Sequence, residues 1–110
     1  MKYGLSSATI LKLQQLFSKF DAIEEVILYG SRAKGNHQEG SDIDLTIKGK
    51  DFDALFLPTI LNEIDDLLLP YKVDVSIYGY LTNKELIDHI ERVGKIFYSK
   101  TANKQSNLTR

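Results

Sequence analysis

The spacing of apolar residues changes several times along the chain, and each change marks an element. Between residues 5 and 20, Ile10, Leu13, Phe17 and Phe20 recur near helical spacing, which predicts an amphipathic helix with one apolar face. Ser6 or Ser7 can cap it, because a side-chain oxygen satisfies an orphan N–H of the first turn. Glu25 to Tyr29 (EVILY) is a short β-rich run stopped by Gly30, and it predicts a first strand. Residues 31 to 41 are polar and contain Gly35, Asn36 and Gly40, the signature of a helical turn followed by a loop. Ser41 to Ile47 (SDIDLTI) alternates strictly, with Asp42, Asp44 and Thr46 on one face and Ile43, Leu45 and Ile47 on the other. That pattern is a half-buried strand, ended by Gly49.

Helical spacing returns over residues 51 to 69. Pro58 should start the main helix, since proline suits a first turn and disrupts an interior. Ile60, Leu61, Ile64, Leu67 and Leu68 form its expected buried face, and Pro70 follows its end. Lys72 to Tyr78 (KVDVSIY) alternates again, with Val73, Val75 and Ile77 one way and Asp74 and Ser76 the other: a third strand. Residues 83 to 93 predict a last helix, capped by Thr82 or Asn83, with Leu86, Ile87 and Ile90 inward, and Ile96 to Tyr98 adds a short extended piece. The interleaving of α, β, β, α, β, α predicts an α+β fold: a small mixed sheet of three or four strands flanked by helices.

The length of 110 residues fits one domain, taken as residues 1–98, with 99–110 expected to form a polar, flexible tail. Lys plus Arg (14) against Asp plus Glu (15) leaves a net charge of -1, so no global basic bias points to direct nucleic-acid binding. The absence of cysteine removes disulfides and thiolate metal sites. No apolar run approaches the ~20 residues that span a bilayer, and the N-terminal MKYGLSSATI lacks a signal-peptide core. These features predict a soluble, cytoplasmic protein with no membrane attachment.

Candidate chemistry lies on two strands. Asp42 and Asp44 are two apart, so both project from one face. Asp74 interrupts an otherwise apolar strand, where an acid is costly unless paired. If strands two and three are neighbours, the three carboxylates can converge, and a hard divalent cation such as Mg²⁺ relieves their repulsion. Upstream lies GSRAKG, residues 30–35. Gly30 permits close approach to the backbone, Ser31 offers a hydroxyl and N–H groups to an anion at the start of a helical turn, and Arg32 and Lys34 add positive charge. A phosphate cradle beside a carboxylate metal site is what nucleotide chemistry needs.

Gly30-Ser31, ten residues, then Asp42-Ile43-Asp44 resembles the signature of the DNA polymerase β-like nucleotidyltransferase superfamily, over roughly residues 23 to 78. Asp74 matches that family's third carboxylate. The compact size is similar to the minimal nucleotidyltransferase (MNT) antitoxins that partner HEPN-domain ribonucleases in toxin–antitoxin pairs. The resemblance implies the polymerase β-like fold and transfer of a nucleoside monophosphate from an NTP to a hydroxyl, with release of pyrophosphate. Asp42, Asp44 and Asp74 would be the catalytic and metal-binding residues, for Mg²⁺ in a two-metal arrangement, with Asp74 also acting as base towards the acceptor. Gly30 and Ser31 would contact the β/γ-phosphates, with Arg32 and Lys34 as further nucleotide-binding residues. It further implies ATP as substrate and a tyrosine of a HEPN toxin as acceptor, the two proteins forming a hetero-oligomer. The extra helical domain with which larger members bind acceptors has no counterpart in the sequence, which points to an acceptor supplied by the partner.

The remaining polar residues read as ordinary surface. Asp51, Asp53, Asp65 and Asp66 are expected in solvent, as are His37 and His89, which lack ligand-like spacing. Tyr78 and Tyr80 read as core edge, and Leu55, Phe56 and Leu57 as core. Two other functions fit the same residues: an antitoxin or nucleotide-sensing module that acts by contact alone, and a small-molecule nucleotidyltransferase of the aminoglycoside type.

Overall fold

A computed structural model describes residues 1–101 of the chain. Its elements run α1 (Ser7–Ser18), β1 (Ile23–Tyr29), α2 (Gly30–Lys34), β2 (Ile43–Gly49), α3 (Phe56–Asp66), β3 (Val73–Ile77), a 3₁₀ turn (Tyr78–Tyr80), α4 (Lys84–Val93) and β4 (Lys95–Ser99). Ser6 is the residue that caps α1, its hydroxyl accepting the Thr9 N–H at 3.1 Å, and Asn83 caps α4 by accepting from Leu86 N–H at 3.0 Å.

The four strands form one mixed sheet in the order β3-β2-β1-β4. β1 runs antiparallel to both β2 and β4, whereas β2 and β3 are parallel, joined by the crossover through α3. The alternation seen in the sequence decides which face each side chain takes. Val26, Leu28, Ile43, Leu45, Ile47, Val75, Ile77 and Phe97 meet α1 and α3 in the main core, where Phe17 packs edge-on to Phe97 with ring centroids 6.5 Å apart. The opposite face carries only a small apolar cluster, Ile27, Tyr29 and Ile90, with Tyr78, Leu81 and Leu86 against it. α4 is therefore held by a narrow stripe, on the face that also bears the acids.

Three expectations about the core change. Leu55 and Leu68 are 71% and 87% exposed, and Leu61 is also at the surface. α3 buries Phe56, Ile60 and Ile64 and packs Leu57 and Leu67 partly against the core, which leaves Leu55, Leu61 and Leu68 to face water. Leu68 lies beyond the helix, at φ +54, where it serves as the left-handed residue that stops the helix and glycine is the usual choice. At the other end of the chain, the tail expected from residue 99 begins inside β4. Ser99 completes the strand and Lys100 Nζ reaches the Asp21 carbonyl and carboxylate at 3.0 and 2.8 Å; residues 102–110 lie outside the described residues. Among the described residues no helix is long and apolar enough to cross a membrane.

Two substitutions test this packing by urea denaturation. Leu45→Ala empties a fully buried position in an interior strand and should lower stability by about 2–5 kcal/mol. Leu68→Gly relieves the left-handed leucine and should raise stability by up to about 1 kcal/mol.

Candidate active site

The register of the sheet assembles the site. Tyr29 lies opposite Asp44 across the β1–β2 pair, and Asp44 opposite Asp74 across the β2–β3 pair. Paired positions share a face, so Tyr29, Asp44 and Asp74 stand side by side on the α4 side of the sheet. Asp42 lies one residue before β2 and is exposed, as is Asp74; Asp44 is half-buried between them. Behind this row lies a second, in which Ser76 Oγ donates to Thr46 Oγ1 at 2.9 Å.

Burial, and then the charges of Asp74 and Asp42, push the Asp44 carboxyl above its ordinary value; the Arg32 guanidinium pulls the other way without prevailing. Burial likewise raises the Tyr29 phenol, with the Asp44 and Asp74 charges adding to it against a Ser76 hydrogen bond that lowers it. The three acids thus interact, but they form no closed cage: among the described residues no group of three or more His, Cys, Asp or Glu side chains is close enough to hold a metal ion. The tight convergence expected from the sequence is replaced by a half-buried acid flanked by two that face water, an arrangement that lets like charges stand apart. The donor set is all carboxylate oxygen, which suits a hard divalent cation and no soft one.

β1 delivers the chain directly into the Gly30-Ser31 turn. Gly30 has φ +76, in the left-handed region, and a Cβ there would run into the Asp44 carboxylate. Glycine is required twice, by conformation and by space. Ser31 follows, half-buried, in the first turn of α2, and Lys34 is exposed at its end.

Arg32 departs from the expectation of a phosphate contact. It is 3% exposed, and its guanidinium is taken up by backbone: Nε and Nη2 donate to Ser41 O at 3.1 and 2.8 Å, and Nη1 donates to Tyr3 O at 2.9 Å. The Tyr71 ring stacks on it with the centroid 5.0 Å away. The fork geometry of arginine makes this clamp possible. It ties the tight turn at Lys2–Leu5 to the residue immediately before Asp42, and so fixes where β2 begins.

His89 is the residue that sequence reasoning misplaced. It is half-buried on α4, and its Nε2 accepts the Gly30 N–H at 3.0 Å, while its ring meets Tyr29 edge-on with centroids 6.1 Å apart. Its position was readable: Leu86, His89 and Ile90 fall at i, i+3 and i+4, which places the histidine on the inward stripe. His37, also expected in solvent, is half-buried beside Gly4 with no hydrogen-bond partner for its buried Nδ1.

Comparison with known proteins agrees with this fold. The family described as Polymerase beta, Nucleotidyltransferase matches residues 11–103. A chain of a toxin–antitoxin crystallised with AMP-PNP is similar in structure, with TM-score 0.65 and 20% identity over 92% of this chain and 79% of that chain. A chain of the Shewanella oneidensis complex between a tri-AMPylated HEPN toxin and its MNT antitoxin gives TM-score 0.57 and 17% identity over 89% and 73%. The MntA–HepT toxin–antitoxin gives TM-score 0.57 and 18% identity over 89% and 74%. At these identities the likeness is one of fold. No curated protein sequence matches the chain.

Two outcomes test the site's construction. Arg32→Met leaves the Ser41 and Tyr3 carbonyls without their donor and should lower stability by about 2–4 kcal/mol in urea; Arg32→Lys, which keeps the charge without the fork, should fall between the variant and wild type. For Asp44, the folded chain takes up a proton at a higher pH than the unfolded chain, whose carboxyl keeps the ordinary value of 3.8. Wild type therefore gains stability as pH falls through the raised value, holds that gain below the ordinary one, and loses it at neutral pH. Asp44→Asn should melt above wild type at pH 7 in the presence of a chelator, with the gap closing as pH drops towards 4 in a thermal-melt series.

Proposed function

The chain belongs to the polymerase β nucleotidyltransferase family, and from that premise we propose that it moves AMP from ATP to a tyrosine hydroxyl of a HEPN-family ribonuclease, silencing it as an antitoxin. The observation that carries this reading is the register that sets Asp44 beside Asp74 while the bare backbone of Gly30 lies against the Asp44 carboxylate. Phosphate cradle and acids are thereby a single unit.

In this reading Asp42, Asp44 and Asp74 would hold Mg²⁺, a role that their oxygen-only chemistry suits, and the metal would supply positive charge to offset that of the phosphates. Ser31 and the Gly30 turn hold the β- and γ-phosphates, and exposed Lys34 contributes charge at the rim. Asp74, exposed on an edge strand, meets the acceptor: it takes the proton of the tyrosine hydroxyl as that oxygen attacks the α-phosphorus. The bond to the bridging oxygen breaks, and pyrophosphate leaves. Arg32 acts from behind, by holding the backbone that presents Asp42. The partner supplies the acceptor, in a hetero-oligomer. The fold likeness to complexes of HEPN toxin with MNT antitoxin supports this choice of partner. ATP as substrate fits a cytoplasmic setting.

The test is to incubate the chain and its neighbouring-gene product with α-phosphate-labelled ATP and Mg²⁺. Label should appear on a tyrosine of the partner, and Asp42→Asn/Asp44→Asn should reduce it by about two to three orders of magnitude. No label from any of the four NTPs, while the two proteins still bind each other, would leave an antitoxin that acts by contact alone.

A further inference from the structure

We propose that His89 is a positioning residue that pins the Gly30-Ser31 turn and thereby sets the affinity for the phosphates of the nucleotide; the nucleotide itself rests on the function proposed above. The turn needs such a pin. Gly30 adopts φ +76, a region where glycine has broad freedom, and α2, which it opens, has five residues, too few to rigidify its own start. One side of the turn is walled by the Asp44 carboxylate. The other side is held by the Gly30 N–H donating to His89 Nε2 at 3.0 Å, a bond that spans 59 residues of sequence.

The chemistry of that bond defines the histidine. Nε2 is the acceptor, so its lone pair is free and the ring proton sits on Nδ1 of a neutral imidazole. The ring is backed by Tyr29, edge-on at 81° between ring planes, and α4 is anchored beside it by Ile90, buried in the small cluster under the helix. The bond fixes the peptide plane between Tyr29 and Gly30, and with it the direction in which Ser31 presents its hydroxyl and N–H. α4 thus reaches the phosphate turn by a polar contact, although it packs on the sheet by only a few apolar side chains. A backbone N–H left unpaired in this half-buried place would turn to another acceptor and carry the turn with it.

The proposal separates His89 from a residue that merely packs. His89→Phe keeps a ring against Tyr29 but offers no acceptor, whereas His89→Gln offers an amide oxygen at about the reach of Nε2. AMP-PNP with Mg²⁺ is the probe, titrated calorimetrically, with KM and kcat for ATP measured in the labelling reaction. The Phe variant should bind AMP-PNP about tenfold more weakly and raise KM with kcat little changed. The Gln variant should return to within about threefold of wild type, and nitrogen NMR of the wild type should show an unprotonated Nε2 coupled to the Gly30 amide. Equal affinity in wild type and Phe variant, or a Gln variant no better than Phe, would overturn the role of His89 alone. A fall in melting temperature with affinity unchanged would do the same. Failure of the wild type to bind any nucleoside triphosphate would overturn the nucleotide reading and this role with it.

Discussion

The functional end of the sheet depends on how closely one stretch of backbone can approach one carboxylate. The antiparallel pairing of β1 with β2 sets Tyr29 opposite Asp44, and the chain must turn immediately afterwards. It does so through a glycine with positive φ whose missing side chain leaves room for Asp44. With any other residue, either the turn moves away from the acid or the acid moves away from the turn. The same acid is half-buried and ringed by negative charge, which lifts its carboxyl above the ordinary value. Packing, backbone conformation and electrostatics therefore meet at one contact, and a shift in any of the three moves the others.

The two faces of the sheet divide the work. The face towards α1 and α3 carries the bulk of the apolar core and supplies the rigidity that holds the strand register. The face towards α4 is polar at one end, with Asp44, Asp74, Ser76 and Thr46, and only thinly apolar at the other. A site that must keep charged groups in half-buried places draws stability from elsewhere, since such groups add little of their own and oppose folding when unpaired. Leu45 and Asp44 are adjacent in sequence, and the alternation of β2 sends one into the core and the other into the site. That single alternation makes the acid's position as firm as the core beneath it.

Much of this was legible in the sequence because strict alternation has one reading. SDIDLTI and KVDVSIY each named a strand, its inward residues and the face of its acids, and the structure forms both strands with those apolar residues inward, β2 starting one residue after Asp42. Three things were hidden, each for a physical reason. Burial around α3 was overread at Leu55, Leu61 and Leu68, because a run of leucines satisfies helical spacing on any side of a helix and only tertiary packing selects the stripe. Arg32 read as a ligand contact because a cation inside a phosphate-type motif looks the same in sequence whether it faces the site or supports it; the acceptors that claim it, Tyr3 O and Ser41 O, are backbone atoms with no sequence signature. His89 read as surface because its partner, the Gly30 N–H, is likewise a backbone group far away in the chain.

The placement of Arg32 has a consequence for the nucleotide. Its guanidinium is the buried cation nearest to the loop that carries Asp42, yet its N–H groups are committed to carbonyls, and its charge does not offset the lift on Asp44. The outward acids, Asp42 and Asp74, stand exposed at the mouth of the site. A bare triphosphate approaching that mouth meets anions of its own sign, and at distances below the ~8 Å screening length salt does not remove the repulsion. In the reading proposed above, a triphosphate already paired with divalent cations would meet attraction instead, the same carboxylates offering oxygen ligands to the ions. On the function proposed above, the acids would favour a cation-paired nucleotide over a bare one, and Arg32, its N–H groups committed to backbone carbonyls, would not compete for the phosphates.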